Sequence, residues 1–120
     1  MAKIAVIKGD GIGPDVVDEA LKVLSEAAGS EAFEFDALPY SAQHTLDTGI
    51  TIPEEEFARF QNEYDAIFLG ALGDPRIPDM RHGRDILLGA RMKLELFINQ
   101  RPARLLNAEF CPLKGYETGE

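Results

Sequence analysis

Tryptophan is absent from this 120-residue chain, cysteine occurs once, and acidic residues outnumber basic ones, with 21 Asp and Glu against 12 Lys and Arg. Each scarcity excludes something. The single cysteine, Cys111, allows no intrachain disulfide, so packing must supply the stability and a reducing, cytoplasmic setting is expected. A formal net charge of −9 argues against a nucleic-acid partner, which requires a basic face. No apolar run approaches the roughly 18 residues of a membrane-spanning helix, so no membrane partner is expected either. No internal repeat or low-complexity tract stands out. What is present is a hydrophobic content of 45%, enough for one modest core.

The apolar pattern alternates between strand and helix. The β-branched run KIAVI, Lys3 to Ile7, reads as a strand buried on both faces. It ends in GDGIGP, with Pro14 where a first-turn proline is tolerated. From Asp15, the residues Val16, Val17, Ala20, Leu21, Leu24, Ala27 and Ala28 fall at helical spacing, and Gly29 marks the stop. FEFDAL sets Phe33, Phe35 and Ala37 against Glu34 and Asp36, which predicts a strand near an edge with Asp36 on its wet face. A short helical turn follows around Gln43 to Leu46. Thr51 and Glu54 have the spacing of a capping box, ahead of a helix whose one face carries Phe57, Phe60 and Tyr64.

DAIFLGAL, from Asp65, predicts a third strand; a helix is expected over residues 85–97, and NQRPARLL, with Pro102, reads as an edge strand or a crossover. The fold class is therefore α/β with a mainly parallel sheet. Both glycine loops, Gly9 to Gly13 and Gly70 to Gly73, follow strands and should share the carboxyl-end rim, where such sheets bind ligands. A sheet with few covering helices should leave apolar surface exposed and favour association.

The first loop fails the ordinary dinucleotide fingerprint, because Pro14 occupies the place of the third glycine and Asp36 alternates onto a strand face. No Gly-Lys-Ser/Thr follows, so it is not a Walker loop. Taken alone, it is equally readable as a tight turn without a ligand, with Asp10 capping that turn. The stretch RIPDMRHGRD holds Arg76, Arg81, His82 and Arg84; it reads as a solvated loop, with an anion site as the alternative. His44 and His82 have no partner at metal-ligand spacing.

Three motifs taken in order carry a resemblance: GDGIGP after the first strand, FLGALGDP after the third, and LLGARMKLELFINQRPARLL from Leu87. Together they resemble the β-decarboxylating dehydrogenases, the family that includes isopropylmalate, isocitrate and tartrate dehydrogenases. The resemblance implies an isopropylmalate dehydrogenase-like fold, incomplete in this chain. Residues 1–99 would form the N-terminal part of the cofactor-binding domain, and residues 100–120 the crossover into a second domain. It further implies oxidative decarboxylation of a 2-hydroxy dicarboxylic acid such as 3-isopropylmalate, with NAD or else NADP as cofactor, with Mg or Mn, and as a homodimer.

By that resemblance Arg91 and Arg101 bind the malate moiety; guanidinium forks suit a dicarboxylate and keep their charge at any relevant pH. Leu87 and Leu88 match positions that meet an alkyl substituent, although on an apolar helix they are as readable as core. Gly11 and Ile12 on the first loop, and Gly70, Ala71 and Gly73 on the second, would pack against the cofactor. Many members carry a glutamate to the nicotinamide ribose where Arg84 stands here, so either Asp85 substitutes for it or a different arrangement is used. The general acid and base and the metal ligands match positions beyond residue 120, so no catalytic residue is expected in this chain and it should be inactive alone. A non-catalytic α/β module that binds an anion or a protein is the alternative. It would turn Arg91 outward to pair with Glu95, whereas the enzyme would face both arginines into a cleft.

Overall fold

A computed structural model describes residues 1–29 and 31–119. Strands β1 (Ala2–Gly9), β2 (Phe33–Leu38) and β3 (Ala66–Ala71) alternate with helices α1 (Gly13–Ala28), α2 (Ala42–Thr48) and α3 (Glu54–Glu63). After β3 a loop leads into one helical segment built from α4 (Arg81–Gly83), a π-helical turn (Arg84–Leu88) and α5 (Gly89–Lys93). The sheet is parallel, in the order β2-β1-β3, so β2 is the edge strand that its alternation implies. The chain leaves β1 to one side and returns to the other, which puts a topological switch point at the carboxyl ends of β1 and β3.

The two sheet faces are covered unequally. Ala5 and Ile7 of β1 lie under Phe57 and Phe60 of α3, Tyr40 and Ile86, forming the buried cluster of the protein. Phe57 and Phe60 meet edge to face with centroids 6.1 Å apart. The opposite face, with Ile4, Phe35 and Phe68, receives α1 alone and keeps an apolar cavity of about 230 Å³ bounded by Leu24 and Phe33.

Asp36 does not lie on a wet face. Its neighbour in register is the buried Ala5, and α3 supplies its partners: the Tyr64 hydroxyl donates to its carboxylate, and Arg59 lies 3.9 Å away. Arg59 also bonds the buried Glu56 at 3.0 Å, and Glu56 accepts from the Tyr40 hydroxyl at 2.7 Å. Burial first, then the neighbouring carboxylates, push the Tyr40 phenol well above its ordinary value and the Tyr64 phenol up to about 12.

Helix ends depart from the simple sequence rules at three places. The capping box does not form: Pro53 is the N-cap of α3, and the Thr51 hydroxyl donates instead to Asp85 Oδ2 at 2.9 Å. The helical segment after β3 covers residues 81–93 rather than 85–97, because Leu94 ends it and Glu95 takes a left-handed φ of 56°. The Leu96 N–H then donates to the Arg91 carbonyl at 2.8 Å, closing the end in the manner of a Schellman turn. Among the described residues no strand follows β3, so NQRPARLL is not an edge strand; only a 3₁₀ turn (Ala108–Phe110) is regular there.

Candidate functional site

The rim at the switch point is built by backbone approaching backbone. Gly9, at φ 76°, lies so close to β3 that an added Cβ would fall 2.0 Å from the Ala71 carbonyl oxygen. The Asp10 N–H donates to that same oxygen at 2.7 Å, and the Gly13 N–H closes the turn onto the Asp10 carbonyl at 2.8 Å. The loops after β1 and β3 are therefore side by side, as their common rim requires.

Beyond this seam the turn opens outward. Gly11 has φ 56° and nothing within 4 Å of where a Cβ would be, and Ile12 is 69% exposed. Ala71 and Gly73 are exposed on the adjoining loop. Gly70 differs from them: a Cβ there would lie 2.1 Å from the Lys8 carbonyl oxygen and 2.9 Å from Val17 Cγ2, so packing alone accounts for it.

The Asp10 side chain does not cap its own turn, which closes on the backbone carbonyl; it reaches away to other elements. Its buried carboxylate accepts from the Ala42 N–H (2.6 Å, Oδ1), the Gly73 N–H (2.9 Å, Oδ2) and His82 Nε2 (2.8 Å, Oδ2). His82 is fully buried, and its Nδ1 has no partner among the described residues. Local sequence rules miss this pair, whose members stand 72 positions apart. The one available signal is an aspartate at a strand end beneath a glycine turn, which marks a buried acceptor only after the fold is known.

The helical segment presents the other expected residues. Leu87 and Leu88 are nearly half exposed, not core. Leu88 and Arg91 together line an open groove of about 450 Å³ with Met92, Glu95, Leu96 and Phe97. The Arg91 guanidinium makes no ion pair among the described residues, Glu95 included, a property it shares with Lys3, Arg81, Arg101, Arg104 and Lys114; what sets it apart is its place on the groove. Arg101 is brought to no common cleft with it. It is exposed, its Nε donates to Asn99 Oδ1 at 3.3 Å, and it does not line the groove.

Asp85 is held on both sides, by the Thr51 hydroxyl and by Arg84 Nε at 3.0 Å. It borders a second cavity of about 450 Å³ that Leu88 and Met92 share, with Phe57 and Lys93 on its wall. In the basic loop, Arg84 is thus occupied, and Arg76 is bound to Asp74 at 2.8 Å and to Gln43 at 2.9 Å. Arg76's side-chain bonds, joined by its backbone N–H, hold the Asp74 carboxyl down at about 2. A cluster for binding an extra anion is not assembled there. Among the described residues no three His, Cys, Asp or Glu side chains are placed to hold a metal ion, and no helix is long and apolar enough to cross a membrane.

Residues 3–118 match the family profile of isocitrate/isopropylmalate dehydrogenase. The chain is 43% identical over 114 residues to a 3-isopropylmalate dehydrogenase of Nocardia farcinica, covering 94% of this chain and 33% of that protein. It is 44% identical over 117 residues to the corresponding enzyme of Thermobifida fusca, covering 94% and 32%. Among solved structures, the apo form of a β-decarboxylating dehydrogenase from Thermococcus kodakarensis superimposes with a TM-score of 0.61 at 34% identity, over 80% of this chain and 27% of that one. The chain thus spans about a third of the length of the curated relatives it matches.

Proposed function

The chain belongs to the isocitrate/isopropylmalate dehydrogenase family, and from that premise we propose that it supplies the cofactor rim and part of the substrate groove of an oxidative decarboxylase acting on a substituted malate, 3-isopropylmalate or a close relative. The observation that carries this reading is the placement of Leu88 beside Arg91, which has no ion pair among the described residues, in one open groove. A guanidinium fork next to an apolar wall suits a substrate that has a carboxylate and an alkyl group on neighbouring carbons. Leu87, half-exposed beside Leu88 but not lining that groove, and Arg101, as second carboxylate ligand, would join the site only with the rest of the enzyme in place.

The exposed Ile12, the open space at Gly11 and the small Ala71 and Gly73 fit the flat, partly apolar body of a dinucleotide, NAD or NADP. When bound, that cofactor accepts a hydride from the substrate's hydroxyl-bearing carbon. Asp85, oriented by Thr51 and Arg84, keeps lone pairs for a ribose hydroxyl. Residues 1–99 act as cofactor-domain structure and residues 100–120 as the crossover, in a cytoplasmic homodimer. Magnesium or manganese belongs to the family reading, but no three His, Cys, Asp or Glu side chains among the described residues fit such an ion. The pair with Glu95 that would support the rival reading, a non-catalytic module, is not formed among the described residues, and the convergence of Arg91 and Arg101 that would support the enzyme is not formed either, so the choice rests on the groove and the family.

The test uses the full-length natural protein and follows NAD reduction with 3-isopropylmalate. Arg91→Lys should lower kcat/KM roughly 100-fold by losing the bidentate bond to a carboxylate. Wild-type protein that reduces no dinucleotide with any substituted malate, or an R91K variant as active as wild type, refutes the proposal.

A further inference from the structure

We propose that Asp10 and His82 are positioning residues, a buried clamp that fixes the cofactor-facing glycine rim to the helical segment bearing Leu87, Leu88 and Arg91. The inference rests on the dehydrogenase reading of that site but concerns residues to which that reading gives no role.

The Asp10 carboxylate touches every element that meets at the rim. Through Ala42 it holds the start of α2, through Gly73 the loop after β3, and through His82 the start of the helical segment. Its own backbone N–H adds the seam to Ala71. The side chains of His82 and Asp10 are 0% and 5% exposed, so no solvent can replace a lost bond. A carboxylate that already accepts two backbone N–H groups leaves Nε2 as the donor of the third bond.

The imidazole is an expensive way to fill this space. Its Nδ1 is buried without a partner among the described residues, whereas a leucine would fill a similar volume and leave no orphan nitrogen. What His82 adds over an apolar side chain is therefore the bond to Asp10. Its position gives that bond leverage: His82 lies two residues before the π-helical turn that carries Leu87 and Leu88, and Gly73 follows the half-buried Leu72 and the exposed Ala71 of the rim. Freeing the clamp would let the Gly73 loop and the helical segment move independently.

The experiment compares wild type, His82→Leu and His82→Gln in the full-length natural protein, reading the NAD KM, kcat and amide hydrogen exchange at Gly73 and Ala42. H82L keeps the volume and loses the donor; H82Q keeps a donor able to reach Asp10. The expected result is a KM for NAD raised ~10-fold in H82L with kcat within ~3-fold of wild type, faster exchange at Gly73, and recovery of both in H82Q. Unchanged KM and exchange in H82L overturn the clamp, as does an equal loss in H82Q. Should H82L not fold, Asp10→Asn replaces one acceptor with an amine facing the donors; faster Gly73 exchange supports the clamp and unchanged exchange overturns it. If the wild-type protein oxidises no substituted malate, the functional reading falls by itself, and Gly73 exchange still decides the clamp.

Discussion

Residues 2–93 and residues 94–119 carry the same kinds of apolar side chain and treat them in opposite ways. In the first region Phe57, Phe60 and Ile86 are 6%, 4% and 1% exposed; in the second Phe97, Ile98 and Phe110 are 86%, 79% and 75% exposed. The difference lies in what the backbone offers. A parallel sheet presents two flat faces on which helices can set their apolar stripes, whereas beyond Glu95 no strand among the described residues gives Phe97 or Phe110 a surface to meet. Hydrophobicity is a demand for a partner, and only the first region contains one. Of the two arginines proposed to bind substrate, Arg91 belongs to the built region and Arg101 to the unbuilt one, and only Arg91 lines the groove.

The widest gap between the regions should appear in stability. Phe57→Ala removes a ring from the closed face and should destabilise by about 3–5 kcal/mol, while Phe97→Ala should stay within about 0.5 kcal/mol, both read from denaturant unfolding. Comparable losses would erase the distinction. At the boundary itself, Glu95→Gly relieves a left-handed residue and should stabilise by about 0.5–1 kcal/mol. A loss of stability would show that the Glu95 side chain, not its backbone, sets the boundary.

The smallest effect is a titration inside the built region. Asp74, held by Arg76, should titrate at about 2 by NMR and return toward the ordinary carboxylate value in Arg76→Ala. Because its folded value is depressed, the pair's contribution is fully present above about pH 4 and is lost as pH falls through about 2. An Asp74 midpoint near 4 in wild type would mean that the loop does not hold its charges in fixed pairs.

Periodicity located the elements well where a single interaction governs them. FEFDAL is a strand over its full length, although Ala37 is exposed and Asp36 faces α3 against its alternation, and Gly29, at φ 85°, closes α1 as a stop residue should. The GDGIGP and FLGALGDP loops meet because both follow parallel strands, a consequence of topology alone. Elsewhere a distant group outbid the local rule. Thr51 had an acceptable local partner in Glu54 yet bonds to Asp85, 34 positions away, and Asp36 is covered by the side chains of a helix that its own strand pattern cannot reveal. The Asp10–His82 bond is wholly of this second kind. Local spacing reports neighbours along the chain; a buried polar pair is made by the fold.

The π-helical turn has a consequence for how this segment takes aim. The Gly89 N–H donates to the Arg84 carbonyl, five residues back, so the segment holds one residue more than an α-helix would over the same path. Each residue is worth about 100° of rotation about the axis. Ile86 points into the core while Leu88 and Arg91 line the groove. A one-residue deletion between 84 and 88 would let an ordinary α-helical turn span the same path, shifting the residues inside the turn by about 100° and leaving Arg91 on its bearing. A gap at this place in a related sequence is therefore absorbed within the turn and need not move the groove.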